Sequence, residues 1–217
     1  DGVPIGLGYL SVSFGFGIAV ISAGLSPLVA LIISLTNETS AGQLAGLTII
    51  LAAGTLLEMA LTQFIINLRY ALMGLSLSQK LSPTMNTPRR MFFAFSNTDE
   101  IFAVASAQPE KLHHHYLYGL MLMPYIGWSL GTFLGAAAGA VLPEFVCNAL
   151  GIAIYGMFIA IVVPEMRQSR AMTLCVVLSA AASCLFAFTP VLRDIPDGFV
   201  IILCSVAVAC VCALVAP

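Results

Sequence analysis

The chain has 217 residues, 60% of them apolar and only 8% charged, with a net charge of −2 and a mean hydropathy of +1.03. A soluble domain carries about 25% charged residues, so this composition is that of an all-α integral membrane protein with about seven transmembrane helices and no sizeable soluble domain. Apolar runs of spanning length favour helices over a barrel, whose alternating segments of about ten residues are absent, and no basic run points to nucleic acid.

The start, Asp1-Gly2-Val3-Pro4, lacks the basic region of a signal peptide and an initiator Met, so native residues are expected upstream. Ile5 to Ala23 is the first apolar run. Its small residues (Gly6, Gly8, Gly15, Gly17) let backbones approach closely, which predicts a central helix. Gly24-Leu25-Ser26-Pro27 is a sharp stop and restart. Leu28 to Leu35 is too short to span. The polar stretch Thr36 to Gln43 follows, then Leu44 to Ala53. A polar break between two short apolar pieces is the signature of a discontinuous helix, whose freed backbone groups line a cavity or are satisfied by protein. The plainer reading is a solvent loop, but the stretch has no Lys, Arg, Asp or Pro.

Thr55 to Leu77 reads as a span that holds Glu58, Gln63, Asn67 and Arg69. An arginine inside such a segment costs about 2.5–3.5 kcal/mol or more unless it is paired, reaches the interface or faces water. Glu58 lies about 16 Å away along the same helix, too far to pair. The remaining acids near apolar sequence are Glu38 and the pair Asp99-Glu100. Lys80, Arg89 and Arg90 then form a basic loop. Met91 to Gln108 is apolar at its ends but polar in its middle, Ser96-Asn97-Thr98-Asp99-Glu100. Thr98 or Asn97 is placed to cap a helix through Ile101 to Ala105, with the two acids in its favourable first turn. If Lys80, Arg89, Arg90 and Lys111 all face the cytoplasm, the piece between them is not a single span but a re-entrant segment or short hairpin. Its tip would bring Asp99 towards Arg69.

His113-His114-His115 cannot share one helical face, so an interfacial role is favoured over a metal site. Tyr116 to Leu142 is a long span in which Gly131, Gly135 and Gly139 predict a tight helix contact and Pro124 a kink. Cys147 to Val163, Ala171 to Thr189 and Phe199 to Ala216 complete the set, with a basic loop at Arg167 and Arg170. Six of the eight basic residues then fall on one side. Five of the six cysteines lie in the last two apolar runs at no zinc spacing and read as packing residues. Tyr9-Leu10-Ser11-Val12-Ser13-Phe14-Gly15 echoes Tyr125-Ile126-Gly127-Trp128-Ser129-Leu130-Gly131. With the first helix running inward and the later one outward, that echo predicts an inverted repeat, with halves 1–115 and 116–217 of a single transmembrane domain.

The residue types define a candidate substrate site of Arg69, Asn67, Gln43, Glu38 and Asp99, with Asp99, Glu100 and Glu38 as proton-coupling candidates. The alternative is an ion pair that merely locks helices together. No catalytic constellation or metal motif is evident.

These stretches resemble the AzlC family, the large subunit of bacterial branched-chain amino-acid exporters. The matching pieces are Ala23-Gly24-Leu25-Ser26-Pro27, Ser34-Leu35, Gln43, Asn67-Leu68-Arg69-Tyr70-Ala71-Leu72-Met73-Gly74, Thr98-Asp99-Glu100-Ile101-Phe102-Ala103 and Ala153-Ile154-Tyr155-Gly156-Met157-Phe158-Ile159-Ala160. Asn37 and Glu38 depart from the pattern, standing where members carry apolar residues and adding a carboxylate near the break. The resemblance implies a secondary transporter of the bacterial cytoplasmic membrane with a small AzlD-like partner subunit, no enzymatic activity and no bound cofactor. An apolar amino acid would offer its carboxylate to Arg69, and its ammonium group, or a coupling proton, to Asp99 or Glu38. A second class, the substrate-capture subunit of an ATP-driven importer, is separated from this one by the ATP dependence of transport.

Overall fold

A computed structural model describes residues 1–139, 141–143, 145–146, 159, 162–164, 166–167, 169–189, 192 and 195–215. The described residues form nine helices: α1 (Gly2–Ser22), α2 (Pro27–Thr36), α3 (Ser40–Leu51), α4 (Leu56–Ser78), α5 (Thr87–Ala94), α6 (Asp99–Ala107), α7 (His114–Gly139), α8 (Arg170–Phe188) and α9 (Asp197–Val215). Five of them, α1, α4, α7, α8 and α9, are long and apolar enough to cross a membrane. The protein is an all-α, multi-pass membrane protein. The expected span Cys147 to Val163 lies almost wholly outside the described residues, as do Glu144, Glu165, Arg193 and Asp194. The chain divides into two compact units, one of residues 1–43 and 67–154, the other of residues 44–66 and 155–217.

In the first unit α1 lies along α7 with almost no side chains between them. A β-carbon added at Gly127, Gly131 or Gly135 would run into the carbonyl oxygens of Gly6, Leu10 and Phe14 respectively, and one at Gly17 into that of Thr132. This is the tight contact that the small residues predict. Gly8 is the exception, because a β-carbon there meets nothing within 4 Å. The contacts climb both helices in the same direction, and the Tyr116 hydroxyl donates to Asp1 Oδ2 at 2.7 Å where both begin. The two helices are therefore parallel. This corrects the opposed orientation expected of them, and with it the inverted repeat read from their echo. The error traces to the sense assigned to α1 through the short apolar pieces that follow it.

α1 ends in a Schellman turn. Gly24, at φ +81°, donates to Ile21 O, and Leu25 donates to Val20 O. Ser26 then caps α2 by accepting from the Val29 N–H, with Pro27 opening the helix. α2 has only 10 residues, about 15 Å, half of a bilayer core. It runs back along α7: Ser34 Oγ meets Thr132 Oγ1 at 2.7 Å, and the Leu35 carbonyl accepts from the Tyr125 hydroxyl at 3.1 Å. The helix then stops. Asn37 is extended (φ −145°, ψ 100°) and α3 begins at Ser40. The expected break between Thr36 and Gly42 is thus present, three residues long.

The segment after α4 leaves and returns to one place. Ser82 N–H donates to Leu112 O and Leu112 N–H to Lys80 O, both at 2.9 Å. Lys80 Nζ also binds the Ser106 and Gln108 carbonyls at the end of α6, at 2.5 and 2.7 Å, a cation where the helix dipole favours one. Between these feet stand α5, with 8 residues, and α6, with 9, each long enough for about half a membrane. The segment is thus a hairpin of two short helices and not a single span, as the flanking basic residues predict. α5 starts earlier than the apolar run suggests: Asn86 caps it and it absorbs Arg89 and Arg90 from the basic loop. Buried Leu77, Met85, Phe93, Ile101, Leu112, Leu117 and Leu120 pack the hairpin against the end of α4 and the start of α7.

In the second unit, Gly46 of α3 lies against Met59 and Gln63 of α4. Glu58, 3% exposed, accepts from the backbone N–H of Gly198 at 2.9 Å through Oε1, which caps the start of α9 from another helix. α8 and α9 pack on each other and carry the five described cysteines, all free thiols.

Candidate functional site

The two breaks in helical structure, residues 37–39 and 95–98, meet at mid-height of α7. Tyr125, near the centre of that helix, donates to the Leu35 carbonyl beside the first break. Its ring lies 5.9 Å from that of Phe95 in the second. The breaks are joined directly: Ser96 Oγ donates to Glu38 Oε2 at 2.5 Å, with both residues buried. Backbone that leaves helical geometry within a membrane must be satisfied by protein or line a cavity, and these two breaks do both.

The first break is held from below by Gln43, 1% exposed. Its Nε2 donates to the Asn37 carbonyl at 2.6 Å and to Ser34 Oγ at 3.0 Å. The acceptor nature of the Asn37 carbonyl fixes which way the Gln43 amide points. Thr39 Oγ1 accepts from the Gly42 N–H at 3.5 Å as α3 begins. The second break is held by α1. The Tyr9 hydroxyl donates to Glu100 Oε2 and accepts from the Thr98 hydroxyl at 2.6 Å, while the Tyr9 ring sits edge-on to Trp128 at 5.3 Å. Thr98 is the N-cap of α6 by backbone, but its hydroxyl is spent on Tyr9 and makes no capping bond.

Arg69 finds the partner that the energetics demand. Its Nη1 lies 2.8 Å from Asp99 Oδ2, and Nη2 donates to the Tyr70 hydroxyl at 3.1 Å. Both members of the ion pair are half-exposed. Glu38 is bound by Ser96 and not by this guanidinium.

A pocket of about 170 Å³ opens between the breaks, lined by Thr36, Asn37, Glu38, Thr39, Asn67, Tyr70, Ala94, Phe95, Asn97 and Thr98. An apolar cavity of about 150 Å³ accepts benzene, so this one has room for a small organic molecule. Of the residues expected at the site, Glu38 and Asn67 line it. Gln43 supports its floor through Asn37. Arg69 and Asp99 are not among the lining residues; they flank it, because their chain neighbours Tyr70 and Thr98 are. Glu100 faces Tyr9 instead. Sequence reasoning missed Tyr9, Tyr70 and Asn97 as site components. The signal for Tyr9 was the echo between it and Tyr125, since each tyrosine serves one break.

The sequence model of the AzlC family, described as AzlC protein, matches residues 4–142, which include both breaks and the pocket. The chain is 28% identical to the inner membrane protein YgaZ of Escherichia coli over 223 aligned positions, which cover 99% of this chain and 87% of that protein. It is 33% identical to an uncharacterized membrane protein of Archaeoglobus fulgidus over 168 positions, 76% of this chain and 72% of the other. A Helicobacter pylori membrane protein is 26% identical over 163 positions, 70% of each chain. No solved structure matches. With most of its length under the family model and its relatives all membrane proteins, the chain belongs to the AzlC family.

Proposed function

We propose that this protein is the large subunit of a secondary transporter that exports branched-chain or other small apolar amino acids across the bacterial cytoplasmic membrane, coupled to protons, together with a small AzlD-like membrane subunit. The observation that carries the reading is the Glu38–Ser96 hydrogen bond, which joins two helix breaks around a pocket at mid-height of the long apolar helix α7, a depth that this reading takes as the middle of the membrane. Secondary transporters place substrate and coupling-ion sites there, at discontinuous helices. The pocket volume suits a molecule the size of an apolar amino acid. Glu38 is a buried carboxyl with a single hydrogen-bond partner among the described residues and can carry the coupling proton. The partner subunit and the direction of transport are carried over from the resemblance to AzlC-type exporters.

The test is counterflow in liposomes holding the full-length chain and the small subunit, loaded with each of the common amino acids in turn and without ATP. Exchange of leucine, isoleucine or valine, abolished by Glu38→Ala and accelerated by an imposed proton gradient, is the expected result. Exchange that needs ATP, or that ignores all apolar amino acids, overturns the reading.

A further inference from the structure

The pocket between the breaks carries one formally charged side chain, and that charge is negative. Among the ten lining residues there is no Lys, Arg or His. The nearest arginine in sequence, Arg69, is engaged by Asp99 and Tyr70. Glu38 is 6% exposed; its Oε2 takes the Ser96 hydroxyl and its Oε1 has no hydrogen-bond partner among the described residues. Asn97, 5% exposed, also lines the pocket, and its Oδ1 is likewise without a partner. Two buried acceptors without donors are costly in a protein interior. A ligand that arrives with several N–H donors and a positive charge satisfies both. A carboxylate would meet the Glu38 charge and no cation.

We propose that the pocket recognises its substrate through a protonated primary amine, held by Glu38 with Asn97, and that the carboxylate of an amino acid contributes little to recognition there. This rests on the transport reading for the use of the pocket, but not for its chemistry. It also separates two residues between which the sequence could not choose: Glu38, not Asp99, takes the ammonium group, and the Arg69–Asp99 pair stays closed while it does so. The remaining lining supports this division. Ala94, Phe95 and the Tyr70 ring offer apolar surface for a short alkyl chain, whereas the threonine and asparagine side chains surround the charged end.

Three probes with the same branched alkyl chain separate the possibilities: isopentylamine, leucine and 2-hydroxy-4-methylpentanoate. Their binding to the full-length protein in nanodiscs is measured by calorimetry and by thermal stabilisation at neutral pH, with counterflow run in parallel. The amine and leucine should bind, and the hydroxy acid should bind about tenfold more weakly or worse, the loss expected for one charge-assisted hydrogen bond. Glu38→Gln should weaken the amine by a similar factor while keeping its melting temperature near that of the parent. If that variant does not fold, the comparison of amine with hydroxy acid in the parent protein decides alone. Equal binding of the hydroxy acid and leucine, binding of none of the three, or amine affinity unchanged in Glu38→Gln overturns the proposal. Binding of the amine with no exchange of any apolar amino acid overturns the transport reading and leaves the amine site standing.

Discussion

Glu38 and Ser96 are 58 residues apart in sequence and share a 2.5 Å hydrogen bond at the meeting point of two broken helices. Ser96→Ala removes the one donor that this buried carboxyl has among the described residues. Leaving such a group unsatisfied costs about 1–3 kcal/mol, so this variant should melt measurably lower. Glu38→Gln keeps an acceptor for the Ser96 hydroxyl and should cost less than Ser96→Ala. Thermal melts of the two purified variants give the order, and a larger loss for Glu38→Gln would show that the carboxylate charge, not the bond, holds the breaks together.

The Arg69–Asp99 pair should show strong coupling. Arg69→Ala leaves Asp99 without its cation beside the membrane interior and should cost about 2 kcal/mol, less than a fully buried pair because both groups are half-exposed. Arg69→Ala combined with Asp99→Ala should recover more than half of that loss. A double-mutant cycle on unfolding free energy measures it. Additive losses would mean that Arg69 is stabilised by Tyr70 or by water rather than by Asp99.

The glycines of the α1–α7 contact divide sharply by position. Gly131→Ala and Gly135→Ala place a methyl group against the Leu10 and Phe14 carbonyls, backbone atoms that cannot turn aside. Each should cost about 3 kcal/mol or prevent folding. Gly8→Ala and Gly119→Ala meet open space on the same two helices, and each should be neutral or stabilising by about 0.5–1 kcal/mol. Expression yield and melting temperature of the four variants test the division.

Glu58 serves the second unit alone. Glu58→Ala strips the acceptor from the Gly198 N–H and should fray the first turn of α9, at a cost of about 1–3 kcal/mol. Glu58→Gln retains an acceptor and should lose less. Hydrogen exchange at the amides of residues 198–200 reads the effect locally, and exchange unchanged in Glu58→Ala would show that this N–H has another acceptor.

The parts that were legible in the sequence rest on cost. A polar run between apolar pieces, a lone arginine in a span and basic residues on both sides of a short segment are each expensive unless one particular arrangement relieves them. The break at residues 37–39, the Arg69–Asp99 pair and the hairpin of α5 and α6 all follow from such arguments. Orientation was not legible, because no comparable penalty distinguishes α1 running one way from α1 running the other; only its contact with α7 decides it. Tyr9 and Asn97 escaped notice for a related reason. A tyrosine in a membrane helix and an asparagine in a polar run are each unremarkable until the fold brings Thr98 to the one and the pocket to the other. The spacing of Glu58 shows only that it is too distant to pair with Arg69; nothing in the sequence signals that a helix start 140 residues later comes to it.

The two feet of the α5–α6 hairpin are fastened to each other, through Ser82, Leu112 and the reach of Lys80 to the end of α6. A structure anchored through its backbone at one end and held at the other by side-chain contacts is a lever. Its arm, the 8 residues of α5, is about 12 Å long. A tilt of about 10° about the anchored end would carry the tip about 2 Å, more than a hydrogen bond can stretch. So small a rotation is enough to part Ser96 from Glu38 while every bond at the feet stays made.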